Sequence, residues 1–91
     1  MRRLNWSNRS IRDLKAIRTH IAKDNPYAAS RVVAKIEAAS ESLSDFPERG
    51  VLLADGLRRL ATVSPYLIFY RVSDEAVSIV HIRHGARRPT R

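Results

Sequence analysis

The sequence predicts an α+β fold with the element order β-α-α-β-β-β, in which a helical hairpin packs on one face of a small antiparallel sheet. Two stretches in the first half repeat apolar residues at helical spacing. Three stretches in the second half have the character of strands and are separated by turn residues. The chain has 91 residues, of which 44% are hydrophobic, so we expect residues 1–91 to form a single domain around one core.

The first half of the chain predicts a short strand followed by two antiparallel helices. Residues 4–6 read as the strand, and Ser7 is placed to cap a helix that runs to about residue 23. The alternative start is Ser10, which has Asp13 at capping-box spacing. Asn25-Pro26 then begins a second helix, which Pro47 ends. Because so short a turn joins the helices, they must lie side by side and share one apolar side. The apolar stripes comprise Ile11, Leu14, Ile17 and Ile21 in the first helix and Ala29, Val32, Val33, Ile36, Ala39, Leu43 and Phe46 in the second.

The second half predicts three strands, at residues 57–63, 66–72 and 76–83. Ser64-Pro65 and residues 73–75 are turn signals, and links this short make the strands an antiparallel meander. Before them, Val51-Leu52-Leu53 lies in a connector that we expect to pack onto the core.

Strict alternation makes both faces of the last two strands apolar. The helical hairpin covers only one face, so part of the other is expected to expose hydrophobic surface, which usually marks a partner site. The alternative is that the connector and the C-terminal tail cover it. One face carries Leu67, Phe69, Val80 and Ile82, and the opposite face carries Ile68, Tyr70, Val77 and Ile79.

The charge of the chain favours an anionic partner. Lys and Arg number 17 against 9 Asp and Glu, which gives a formal net charge of +8. Residues 1–25 and 58–91 each carry a net charge of +5, whereas residues 26–57 carry −2. Such a field attracts RNA, DNA or an acidic protein, although a merely soluble, basic surface has the same composition.

Several classes of protein are excluded by composition. The absence of cysteine excludes a disulfide framework, a thiolate zinc site and a cysteine nucleophile. No run approaches the ~20 apolar residues of a membrane span, and no signal peptide precedes the domain, so a cytoplasmic protein without a membrane partner is expected. No metal-ligand spacing and no glycine-rich phosphate loop occurs, so neither a metal nor a cofactor is expected.

A set of short motifs runs in order over nearly the whole chain: Trp6-Ser7, Asp13-Leu14, Ile17, Ile21, Asn25-Pro26-Tyr27-Ala28-Ala29, Ile36, Leu43, Phe46-Pro47, Gly50, Gly56-Leu57-Arg58, residues 66–72 and 77–81, His84 and Arg87-Arg88-Pro89. This ordered set resembles the RelE/ParE superfamily of bacterial type II toxins, the ParE branch in particular.

The resemblance implies a toxin held inactive by a cognate antitoxin with an acidic or amphipathic tail. ParE-like relatives are associated with poisoning DNA gyrase, whereas RelE-like relatives cut messenger RNA on the ribosome. A third hypothesis, based on charge alone, is a non-toxic basic module that binds nucleic acid.

Side chains at particular positions favour the gyrase hypothesis over the nuclease. RNA cleavage needs a proton acceptor, cations for the phosphorane and an acid for the leaving oxygen. Leu67 stands where many nucleases of the family carry an arginine, and Leu60 falls where a second basic residue would help. In the nuclease alternative the catalytic candidates are Arg58, His81, His84 and Arg87. His81 also fits a half-buried strand histidine without a catalytic role.

The gyrase hypothesis assigns two sets of contact residues. The expected target contacts are Arg58, Arg83, Arg87 and Arg88. The expected antitoxin contacts are Leu60, Leu67, Phe69, Val80 and Ile82.

Overall fold

Two helices pack on one face of a five-stranded mixed sheet with the strand order β1-β5-β4-β3-β2. The computed structural model describes residues 1–85, apart from the side chain of Thr62. The predicted α+β class and the helical hairpin on one face are confirmed. The elements are β1 (Arg3–Trp6), α1 (Asn8–Ala22), α2 (Pro26–Ser42), β2 (Val51–Leu52), a 3₁₀ turn (Ala54–Gly56), β3 (Arg58–Val63), β4 (Tyr66–Val72) and β5 (Ala76–His84).

Both helices begin at the predicted caps. The Ser7 hydroxyl accepts a hydrogen bond from the Ser10 amide at 3.0 Å, and the Asn25 side chain accepts one from Ala28 at 3.0 Å, with Pro26 in the first turn of α2. These side chains satisfy amides that have no partner within the helix. No helix within residues 1–85 is long and apolar enough to cross a membrane.

The segment between α2 and β3 differs from the prediction. Helix α2 ends at Ser42, four residues early, and Phe46 beyond it is 65% exposed. Val51 and Leu52 do not pack onto the core, because they form the edge strand β2 and are 59% and 58% exposed.

The sheet is mixed because β1 runs parallel to β5, with Leu4 opposite Val77 and Trp6 opposite Ile79. The antiparallel pairing predicted for the sheet is confirmed for β3 to β5 and extends to β2, whereas β1 adds a parallel edge strand. A parallel pair of strands requires a long crossover connection. The chain between β1 and β5, which includes both helices, provides it.

The core lies between the helices and one face of the sheet. Ile36 and Leu43 of α2 are fully buried against strand residues, and Leu14, Ile17 and Ile21 of α1 pack on the same cluster. The strand residues of this cluster are Leu60, Tyr66, Ile68, Tyr70, Val77, Ile79 and Ile82.

An extra residue in β5 overturns the predicted facing of Ile82. Phe69 pairs with His81, but Tyr70 pairs with Ile79, so Val80 is left without a partner in β4. Such a bulge shifts the alternation by one residue. As a result Ile82 lies in the core at 4% exposed, beside Ile68.

Leu60 is also placed in the core, at 4% exposed, because it pairs with Ile68. Neither Leu60 nor Ile82 is therefore on the surface that was expected to bind an antitoxin.

Side chains at the start of α1 and within it provide hydrogen-bond partners for backbone groups of β5 beyond the last residue of β1. The Ser7 hydroxyl donates to the Val80 carbonyl at 2.7 Å, and the Ile82 amide donates to Asp13 Oδ2 at 3.0 Å. Backbone groups at the bulge would otherwise lack strand partners at this edge.

The Tyr70 hydroxyl fixes the connector to the sheet. It donates to the Pro47 carbonyl and accepts from the Gly50 amide, both at 2.8 Å, on a side chain that is fully buried. Burial raises the pKa of this phenol, against smaller opposing effects of the Gly50 hydrogen bond and of the arginines at 58 and 49. Gly50 is required by space, since a Cβ there would lie 2.6 Å from the Tyr70 hydroxyl and 2.8 Å from the Arg59 carbonyl.

We expect Tyr70→Phe to lower the free energy of unfolding by about 1–3 kcal/mol, because it leaves the buried Gly50 amide and the Pro47 carbonyl without their partner. Urea denaturation checks this, with Tyr27→Phe as the matched control, since Tyr27 is 79% exposed. Equal stability of the two variants would contradict the role assigned to this hydroxyl.

Candidate functional site

The sheet face opposite the helices is the first candidate site, and we call it the outer face. Residues that pair across an antiparallel ladder share a face, and neighbours in a strand alternate. Since Ile68 and Tyr70 face the helices, the residues between and beside them in β4 face away, together with their partners. The outer face is carried by Arg59, Leu67, Phe69, Arg71, His81 and Arg83.

A stack of two rings and a guanidinium occupies the centre of this face. The rings of Phe69 and His81 lie 4.4 Å apart between centroids, at an interplanar angle of 12°. The Arg83 guanidinium lies 5.7 Å from the Phe69 centroid, within the range of a cation–π contact. Phe69 is only 7% exposed, so the face is less apolar than the sequence indicated. Leu67 and Val80 remain half-buried.

The surroundings of His81 favour its neutral form. Its Nδ1 is buried and has no hydrogen-bond partner among the described residues. Burial lowers the pKa of the imidazole below its ordinary value of 6.5; Arg9 and Arg83 act in the same direction, and Asp13 opposes them. The expectation of a half-buried strand histidine is confirmed.

The two histidines of the nuclease hypothesis lie on opposite faces of the sheet. His81 pairs with Phe69 on the outer face, whereas His84 pairs with Tyr66, a residue of the core. The His84 ring meets the Tyr66 ring edge to face, with centroids 5.4 Å apart. The structure therefore does not bring these two imidazoles to one place.

The predicted arginines are distributed over both faces. Arg58 pairs with Tyr70 on the helix side, and its guanidinium donates to the Gly50 carbonyl at 2.8 Å. Arg83 lies on the outer face and is exposed. Arg87 and Arg88 lie outside the described residues. Arg59, which the sequence analysis did not select, reaches the outer face because it pairs with Phe69.

Two pockets on the helix side were not predicted. The first, which we call the helix groove, has a volume of about 400 Å³ and is lined by Trp6, Ile11, Leu14, Val33 and the charged side chains of Lys15, Arg18 and Glu37. Ile11 belongs to the apolar stripe that was predicted to be core, yet it is 40% exposed. The two helices therefore leave the helix groove open to solvent. The second lies at the ends of β4 and β5.

We expect His81 to make stability depend on pH. Its contribution to the free energy of unfolding is present above the ordinary pKa of 6.5 and decreases as the pH falls towards the lowered pKa of the folded state, because the unfolded chain binds the proton first. His81→Phe keeps a ring against Phe69 and removes the titration. Urea unfolding between about pH 8 and about pH 5 should show a steeper loss of stability for the unaltered chain. Equal slopes for the two proteins would contradict this.

Known proteins share both the sequence and the fold. The family model of the ParE toxin of the type II toxin–antitoxin system parDE matches residues 4–89. Toxin RelE2 of Caulobacter vibrioides is 46% identical over 82 residues, which are 90% of this chain and 93% of that protein. Putative toxin Y4kP of Sinorhizobium fredii is 36% identical over 94 residues, covering 92% of this chain and 88% of its own length.

A solved structure described as the chromosomal ParDE TA system from P. aeruginosa superposes on this fold with a TM-score of 0.80 and 25% identity. The match covers 92% of this chain and 96% of that one. Sequence and fold thus agree over almost the full length. The chain belongs to the ParE toxin family of type II toxin–antitoxin systems.

Proposed function

We propose that this toxin inhibits DNA gyrase by binding it, without cutting nucleic acid, and that a cognate antitoxin neutralises it by covering the outer face. The observation that carries the proposal is the chemistry of that face. Its centre is a closed stack of Phe69 and His81, flanked by the exposed cation of Arg83.

The outer face is poorly suited to RNA cleavage. A base must take the proton of the 2′-hydroxyl and an acid must protonate the leaving oxygen, both close to one phosphate. The imidazole of His81 lies flat against Phe69 with a buried Nδ1, and the imidazole of His84 lies on the other side of the sheet. The two imidazoles that would act as base and acid are thus on opposite sides of the sheet.

The centre of the face also lacks a cation at the position the nuclease branch uses. Leu67 lies opposite Arg83 on the outer face, and a leucine cannot stabilise a phosphorane. A half-buried leucine beside an arginine is instead a common composition for a protein interface.

Arg59 and Arg83 are the proposed target contacts among the described residues. Arg59 pairs with Phe69 and Arg83 pairs with Leu67, so both residues lie on the outer face, where guanidinium groups suit an acidic surface of the target. Arg58 leaves this set because its guanidinium binds the Gly50 carbonyl on the helix side. Arg87 and Arg88 stay predicted contacts.

The proposed antitoxin contacts are Leu67, Phe69 and Val80, with Leu60 and Ile82 removed because they are in the core. The two helices pack on the other face of the sheet, so within residues 1–85 no helix covers these side chains. An acidic or amphipathic antitoxin segment would cover the apolar side chains and neutralise the arginines around them.

Supercoiling of relaxed plasmid by purified bacterial gyrase tests the target. We expect the toxin to stop supercoiling and to accumulate cleaved DNA. Arg83→Gln should raise the half-inhibitory concentration about tenfold, since a lost charged hydrogen bond is worth about 1.5–3 kcal/mol. Arg31→Gln is the matched control, because Arg31 is exposed on α2, on the other side of the molecule.

Undiminished supercoiling at saturating toxin would overturn the gyrase proposal. Transcripts with codon-phased 5′ ends after induction would then indicate the ribosome-dependent nuclease. Neither effect, together with a nucleic-acid affinity that falls steeply as the salt concentration rises, would indicate the basic nucleic-acid-binding module instead.

A further inference from the structure

The pocket at the ends of β4 and β5, which we call the end pocket, combines a carboxylate, two imidazoles and apolar side chains beside the outer face. It lies between α1 and the strand ends and has a volume of about 230 Å³. One helix face supplies Asp13, Ala16, Ile17 and His20, and the strands supply Tyr66, Ile82, Arg83 and His84. We infer that the end pocket binds a nucleobase that carries an exocyclic amino group, taken from a single-stranded nucleic acid or a free nucleotide.

The walls of the pocket suit a flat heteroaromatic ring. Ile17 and Ile82 are apolar, and the rings of Tyr66 and His84 stand edge to face with an interplanar angle of 83°. Unpaired bases are commonly held against aromatic and histidine side chains and by hydrogen bonds to their edges. The volume is below the ~300–1,000 Å³ of clefts that enclose drug-sized ligands, so it fits one base better than a larger molecule.

Asp13 decides which bases fit. One of its oxygens, Oδ2, accepts the Ile82 amide at 3.0 Å, which fixes the carboxylate at the pocket wall. A carboxylate has about four acceptor sites, so it has capacity for a further donor. The amino groups of cytosine, adenine and guanine are such donors. Uracil has only its ring N3–H, which lies between two carbonyl oxygens that the carboxylate repels. A phosphate group fits less well, since it would meet the negative charge of Asp13.

Charge and position make a nucleic-acid strand accessible to the pocket. Arg83 lines it while the guanidinium of the same residue lies over Phe69, so this residue joins the pocket to the outer face. The net charge of +8 attracts the phosphate chain to the protein as a whole. Within residues 1–85, no three His, Asp or Glu side chains are arranged as metal ligands.

Matched nucleosides test the inference on the full-length chain, and they carry no charge that the basic surface could attract. Guanosine and inosine differ only at the 2-amino group, and uridine has a carbonyl oxygen and a ring N3–H where cytidine has the amino group and an N3 acceptor. In ¹H–¹⁵N NMR titrations we expect cytidine and guanosine to shift the amides of Ile82 and His84. They should bind about tenfold more tightly than uridine and inosine. Equal binding within both pairs, or shifts spread over the surface, would overturn the inference.

A pair of aspartate variants gives a test in which the two explanations predict opposite signs. Asp13→Asn removes one negative charge and keeps a side-chain oxygen that can accept the Ile82 amide. Asp24→Asn removes the same charge in the exposed turn between the helices and serves as the control. If general attraction binds cytidine monophosphate, both variants bind it more tightly. The end pocket predicts that Asp13→Asn weakens binding about tenfold while Asp24→Asn does not.

The affinity for a short oligocytidylate, compared with that for cytidine monophosphate, distinguishes the two sources of the base. Tighter binding of the oligomer than of cytidine monophosphate, with the gain lost in Asp13→Asn, assigns the pocket to single-stranded nucleic acid. A gain that Asp13→Asn retains comes from general attraction and assigns the pocket to the free nucleotide. Either result supports a base pocket. The inference is independent of the target, because the nucleoside titrations involve neither gyrase nor the antitoxin.

Discussion

The extra residue at Val80 determines which side chains reach each face of the sheet. Before it, Ile79 faces the core by regular alternation, and after it Ile82 faces the core again. His81 is thereby placed against Phe69, and Arg83 is placed opposite Leu67. Without the insertion, Ile82 would lie on the outer face and the ring stack would not form. The chemistry of the outer face therefore depends on one unpaired residue.

The bulge is stable because α1 and its cap provide hydrogen-bond partners for β5 where β1 ends. Ser7 and Asp13 bind the Val80 carbonyl and the Ile82 amide, so the edge of β5 keeps its hydrogen bonds beyond the last residue of β1. Ser7 also caps α1, which ties the start of the helix to the bulge. Asp13 connects this arrangement to the end pocket, since the carboxylate that satisfies the strand edge also lines the pocket wall.

Periodicity in the sequence located the helices and the three long strands, because each of these elements buries one regular face. It failed where a contact joins distant segments. Short turns constrain only neighbours in sequence, so the parallel pairing of β1 with β5 left no local sign. Strict alternation predicted the wrong face for Ile82, because no residue near Val80 indicates a bulge in the sequence.

The candidate site was predictable to the same degree. Leu67 and Phe69 lie on the outer face as alternation along β4 predicts. Arg83 reaches that face only because of the bulge, since unbroken alternation puts it on the side of Val77 and Ile79. Arg59 was missed, since its facing depends on the register between β3 and β4. The end pocket was invisible in the sequence because Asp13 and Ile82 are 69 positions apart.

The central claim is that a partner polypeptide covers the outer face, and thiol protection tests it most directly. The chain contains no cysteine, so single thiols can be placed by Leu67→Cys on the outer face, Lys15→Cys in the helix groove and Arg31→Cys on the exposed side of α2. Reaction rates with a maleimide are compared for the free toxin and its complex with the antitoxin. The account predicts that the complex strongly protects the thiol at position 67 and leaves the thiol at position 31 reactive. Unchanged reactivity at position 67, with protection at position 15 instead, would contradict it.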